Sequence, residues 1–166
     1  MTHFLTIKDN DYITIRNERN GSNILNNYPI HQFTFGVTDN LDTDFNNIIN
    51  AWTQLYNNPS SNKFMIVFKT NIKGTVPVKY AYKMVAYIKS IKALRKEYGE
   101  KYDKLYQSVV IIENSNLRFL MDLVLKLTKP LAPIYIVSND NEMKEVLQCA
   151  RKGVICDNPK IKYIKP

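Results

Sequence analysis

Two cysteines, two histidines and five glycines in 166 residues leave little room for several kinds of chemistry. Cys149 and Cys156 cannot make a disulfide framework, and with no histidine near them they do not complete a zinc site. His3 and His31 stand apart from any serine or cysteine at a recognisable strand-to-helix elbow, so no nucleophile–base pair is written in the chain. A nucleotide loop needs two glycines and a Gly-Lys-Ser/Thr, so that backbone N–H groups wrap the phosphate. The stretch "VFKTNIKGTVPVKY" (Val67–Tyr80) has one glycine, and its Pro77 removes a donor. No apolar run approaches the roughly 18 residues that would span a membrane. The N-terminal "MTHFLTIKDNDY" lacks the basic flank and apolar core of a secretion signal. The expectation is a soluble, cytoplasmic, non-enzymatic protein with no metal and no cofactor.

Acids are also scarce, 15 against 23 Lys and Arg, and the net charge is +8. That balance is compatible with nucleic acid, anionic membrane or an acidic protein and selects none of them. Asparagine, lysine, isoleucine and tyrosine are abundant, the usage of an AT-rich genome such as that of a large DNA virus or an AT-rich protist; a viral product would sit in the host cytoplasm.

The periodicity reads as alternating strands and helices. "YITIR" (Tyr12–Arg16) alternates like a strand, and turn formers gather around Asn20-Gly21. "HQFTFGV" (His31–Val37) is a second strand. In "DNLDTDFNNIINAWTQLYNNP" Phe45, Ile48, Ile49, Trp52, Leu55 and Tyr56 form one helical stripe, with Asp42 or Thr43 as cap. "KFMIVF" is the continuous apolar run of a strand covered on both faces. Val78–Tyr98 is the longest helix, with Ala81, Met84, Ile88, Ile91, Leu94 and Tyr98 on its apolar face. "SVVII", a helix over "NSNLRFLMDLVLKLTKP" capped by Asn114 or Ser115, "PIYIVS", and a helix over "NDNEMKEVLQCARKG" follow. The last of these opens on an Asn139–Glu142 box and stops at Gly153. "KIKYIK" reads as an edge strand. This order predicts an α/β protein with a mixed, mostly parallel sheet of about five strands and about four helices. The core would span 12–151 of a single domain, with 1–11 and 152–166 as terminal arms.

"HQFTFGV", "DTDFNNIINAWTQLY", "FMIVF", the loop "TNIKGTVPVKY", "SVVIIENSNLRFLMDLVL" and "APIYIVSNDNEMKEVL" stand in an order that resembles the SpoIIAA-like fold of STAS domains, the anti-sigma-factor antagonists and sulfate-transporter tails. In that family the loop after the third strand holds a phosphorylated serine in an Asp-Ser-Ser-Gly-like motif, and the loop with its following helix binds a partner protein. The resemblance implies a non-catalytic regulatory module that meets a protein partner there. Thr75 lies closest to the serine's position and is the candidate phosphorylation site, with Thr70 second; the motif's aspartate is absent, and Lys73 and Gly74 are the neighbours. More distantly, "SVVIIENSNLRFLMDLVLKLTKP" is similar to CRAL-TRIO domains. That likeness implies a small-ligand or lipid carrier, with an apolar pocket lined by the helices at 78–98 and 116–128.

From the residues themselves, Thr70, Lys73, Gly74, Thr75, Lys79 and Lys83 are the candidate partner- or anion-binding set. A helix N-terminus offers free N–H groups and partial positive charge, and lysines flank it. The plain local reading is a turn, with Thr75 as cap and Pro77 in the first turn. Residues 79–104 hold eight cations and three acids, and Lys89, Lys92 and Lys96 continue the basic face among tyrosines that can stack on bases. A polyanion, an anionic lipid and a homodimer through a sheet edge or helix face are the other partners this surface suits. Glu113 and Asp140 follow strand ends at the carboxyl edge of the sheet, where α/β ligand sites form.

Overall fold

The computed structural model describes residues 5–6, 12–19, 22–59, 63–72 and 74–166, with side chains from residue 28 onward. The strands are β1 (Leu5–Thr6), β2 (Tyr12–Arg19), β3 (Ser22–Phe35), β4 (Phe64–Thr70), β5 (Leu105–Ile111), β6 (Ile134–Val137) and β7 (Lys162–Ile164). The helices are α1 (Leu41–Asn57), α2 (Lys79–Tyr98), α3 (Ser115–Leu127) and α4 (Asp140–Arg151), with a 3-10 turn at Gly99–Tyr102. Strands β3, β4, β5 and β6 pair in parallel and in chain order. β7 closes one side antiparallel to β6, and β1 and β2 both pair antiparallel with β3 on the other. The expected class is the one found: α/β, with a mixed, mostly parallel sheet and four helices.

The caps explain where the helices begin. Asn40 is extended and its side chain accepts from the Thr43 N–H at 3.0 Å, so the cap of α1 is Asn40; Asp42 and Thr43 lie inside the first turn. Asn114 caps α3 through the Leu117 N–H, and Asn139 caps α4 through the Glu142 N–H, both at 2.9 Å. Gly153, at φ +70°, ends α4 as the left-handed residue past the C-cap. The second strand starts much earlier than the apolar run at His31. β3 reaches back to Ser22 because Ser22–Pro29 pair with β2, and pairing overrides the weak strand propensity of its asparagines.

Pleating divides the sheet's side chains between two cores. Phe33, Phe64, Ile66, Ile134 and Ile136 face α1, α2 and α3, which all lie on one side, as same-handed crossovers between strands added in order require. Val67, Val109, Ile111, Tyr135 and Val137 face Val146 of α4, with Cys156 and Ile161 of the C-terminal segment.

Candidate functional site

The loop between β4 and α2 is fixed at three points. Gly36 follows the end of β3; its φ of +89° suits glycine, and a Cβ there would collide with the Ile72 side chain. The Asn71 N–H donates to the Phe35 carbonyl at 2.9 Å. The Val76 N–H donates to Asn116 Oδ1 of α3 at 2.8 Å, and Val76 is buried. Between these anchors Gly74, Thr75 and Pro77 are exposed, and Lys73 lies outside the described residues. Thr75 does not cap α2. The helix starts behind Val78, which is itself helical and makes no side-chain cap bond, and Pro77 precedes the helix rather than filling its first turn. The carbonyls of Pro77 and Val78 accept from Tyr80 and Ala81 instead, which leaves Thr75 too far upstream to cap.

Asp42 gathers the first turn of α2. Its carboxylate lies 3.1 Å from Lys79 Nζ and 3.5 Å from Lys83 Nζ, and it accepts the Tyr80 hydroxyl at 2.7 Å. The Tyr80 hydroxyl, and then Lys79, hold the Asp42 carboxyl down to about 2, and Asp42 in turn raises Lys79. Two lysines thus share one carboxylate and stack over aromatic rings, Lys79 5.1 Å from the centre of Tyr80 and Lys83 5.9 Å from that of Phe45. The candidate set therefore does not converge. Lys79 and Lys83 turn to α1, Gly74 and Thr75 face solvent, and half-buried Thr70 lines a cavity. Farther along α2, Lys89 and Lys96 are exposed, and half-buried Lys92 donates to Thr128 Oγ1 at 3.0 Å. Tyr80 and Tyr87 turn inward, while Tyr82 and Tyr98 are exposed. Tyr98 leaves the apolar stripe because the chain turns at Gly99 (φ +68°), and its ring packs on Tyr102 at 6.0 Å.

The cavity occupies about 190 Å³ between the sheet and the helices. Ala81, Met84 and Ile88 of α2 form one wall, and Leu117, Leu120, Met121 and Val124 of α3 the other. Phe68, Ser108 and Val110 make the floor. Val76 stands at the loop end, and Pro130, Leu131 and Ala132 at the far end. Of the polar residues around it, Tyr80 is bonded to Asp42 and Lys69 to Asp140 of α4, at 3.7 Å, while Thr70 and Ser108 are the other two that line it.

Other reactive groups lie elsewhere. His31 is buried beside Phe64, its Nδ1 has no hydrogen-bond partner among the described residues, and burial lowers its pKa. Burial, and the Cys156 thiol beside it, push the Cys149 thiol up to about 11. Glu113 is exposed, and Asp140 is engaged by Lys69. Among the described residues no three of His, Cys, Asp and Glu lie together, and no helix is long and apolar enough to cross a membrane. The Asp42 cluster and the Asn116 tether had no signal in the sequence, since their partners are 37 to 41 positions away. Compared with family models, curated proteins and solved structures, the chain has no match in any of the three.

Proposed function

We propose that this protein is a non-catalytic binder of a small apolar ligand, held between the sheet and helices α2 and α3. The observation that carries this reading is the cavity: about 190 Å³, walled by Ala81, Met84 and Ile88 of α2 and Leu117, Leu120 and Val124 of α3, with rings from Phe45, Trp52 and Phe68. Those are the two helices from which a CRAL-TRIO-like carrier would build its pocket. A cavity of about 150 Å³ holds benzene, whereas drug-sized ligands fill roughly 300–1,000 Å³. The occupant is therefore one ring or a chain of about eight carbons. At about 0.8 kcal/mol per buried methylene, eight contribute about 6 kcal/mol, a dissociation constant of some tens of micromolar. Titration with octanol should shift the methyl resonances of Met84 and Met121 and spare those of Val109 and Val146 on the opposite face. Ala81→Leu, which fills the space, should abolish the shifts. Unchanged methionine resonances at millimolar octanol would remove the reading.

A second reading, a protein contact at the loop and the first turns of α2, is favoured by two apolar side chains beside Thr75. Val78 is 46% exposed and Tyr82 54%, on a helix end whose lysines are already paired. This is the place where the resemblance to STAS domains implies a partner, and exposed Thr75 would be the modified residue. Capture of the partner from the native source should be lost with Tyr82→Ala and with Thr75→Glu. Equal recovery by wild type and both variants would exclude this surface.

A further inference from the structure

A serine stands in the middle of a sheet face that is otherwise apolar. The parallel register sets Ser108 of β5 between Ile66 of β4 and Ile134 of β6. Pleating puts all three on the face that α1, α2 and α3 cover, with Val110 next along the strand. A strand buried on both faces ordinarily carries a branched apolar residue at such a position. Ser108 is 3% exposed and lines the cavity. Its backbone N–H donates to the Pro133 carbonyl at 2.9 Å, but its hydroxyl has no hydrogen-bond partner among the described residues. Two other buried polar atoms lack partners, His31 Nδ1 and Gln107 Nε2; both are shut in, and neither residue lines the cavity. Ser108 Oγ keeps open surface, and the open space beside it is the cavity. The other polar groups there are accounted for. Tyr80 is bonded to Asp42, Lys69 is paired with Asp140, and the Trp52 indole donates to the Tyr56 hydroxyl. Thr70, at the end of β4, is half-buried, so water reaches it.

We infer that the ligand carries one uncharged hydrogen-bonding oxygen, a hydroxyl or a carbonyl, on an otherwise hydrocarbon body, and that this oxygen meets Ser108 Oγ on the cavity floor. The inference rests on the apolar-ligand reading and adds to it the polar atom and its place. A buried hydroxyl left without a partner is costly, so whatever fills the cavity is best if it supplies one. A lone water is a poor filler, because it needs about three polar partners and the floor offers one side chain. An ion would exchange its hydration for a single hydroxyl. A serine hydroxyl both donates and accepts, so an alcohol, a phenol and a ketone satisfy the same chemistry. The probes separate them.

The test is titration of the full chain with toluene, phenol and cyclohexanone, three single rings of nearly one size, followed at the Met84 and Met121 methyls. Ser108→Ala should weaken phenol, cyclohexanone or both about five-fold, the net worth of one hydrogen bond. The ring that loses more names the oxygen as hydroxyl or carbonyl. Toluene should bind the variant as well as the wild type or better, which also reports the fold. Thr70→Val should leave the oxygen-bearing rings unchanged relative to toluene. Ser108→Ala that spares all three rings or weakens them alike, a loss that follows Thr70→Val instead, or binding of toluene alone overturns this assignment while the apolar-ligand reading stands. If none of the three rings moves either methionine, the assignment falls, and octanol decides the apolar-ligand reading by itself.

Discussion

Helix α2 is flanked by two seams that are filled in opposite ways. Toward α1, rings interlock: Phe45 lies 5.6 Å from Tyr80, Trp52 lies 4.9 Å from Tyr87, and the Tyr87 hydroxyl meets Thr53 Oγ1 at 2.9 Å. Toward α3 the facing side chains are Ala81, Met84 and Ile88 against Leu117, Leu120, Met121 and Val124, and a space remains that Phe45, Ile48 and Trp52 of α1 also line. Aromatic rings are large and rigid and fill the seam they occupy. Between α2 and α3 alanine is too small to close the space, and methionine is flexible enough to line it without filling it. The hollow seam is therefore the counterpart of the full one, and the ligand reading depends on both.

Four substitutions test that contrast, in falling order of effect. Trp52→Ala removes the centre of the full seam, 3% exposed and bonded through Nε1 to the Tyr56 hydroxyl at 3.0 Å. It should cost about 3–5 kcal/mol in denaturant unfolding. Val109→Phe overfills the tight core under α4 and should cost about 1–3 kcal/mol. Ala81→Leu adds bulk to the hollow seam instead. It should be neutral or stabilising by up to about 1 kcal/mol, and should reduce the volume change of unfolding under pressure. If Ala81→Leu destabilised as much as Val109→Phe, the two regions would be packed alike and the contrast would fail. Asp42→Asn alters only the polar bonds at the head of α2 and should have the smallest effect. The folded-state pKa of Asp42 is about 2, below its ordinary 3.8, so its contribution is present above about 4 and lost as the pH falls toward 2. The melting temperatures of wild type and Asp42→Asn should therefore differ at pH 7 and converge near pH 2.

The fold was legible where its cause is local. The stripe through Phe45, Ile48 and Trp52, the run "FMIVF", the Asn139 cap and Gly153 each declare themselves within a few residues, and the alternation of strand and helix follows from them. The start of α2 was legible to within one residue of Val78, but its cap was misread, because the Thr75–Pro77 pattern imitates one while the helix begins at Lys79. The two helices that line the cavity were legible as apolar faces. The vacancy between them was not, because it is lined by side chains from α1, α2, α3 and the sheet, a property of several elements at once. By sequence Lys79, Lys83, Lys89 and Lys92 are one basic face, and the positions of Asp42 on α1 and Thr128 after α3 divide them.

Because β3, β4, β5 and β6 join the sheet in the order in which a ribosome makes them, each new strand finds its neighbour already in place. The growing edge is then always the newest strand, and the last parallel one, β6, carries four buried residues. Until Lys162–Ile164 pairs with it, that edge is an open template for a second unfinished chain. β7 is three residues long, and its exposed Lys162 is held to Asp122 at 3.6 Å. So short and charged a strand ends the sheet poorly suited to accept another. Aggregation during synthesis should therefore track how quickly Lys162–Ile164 reach β6.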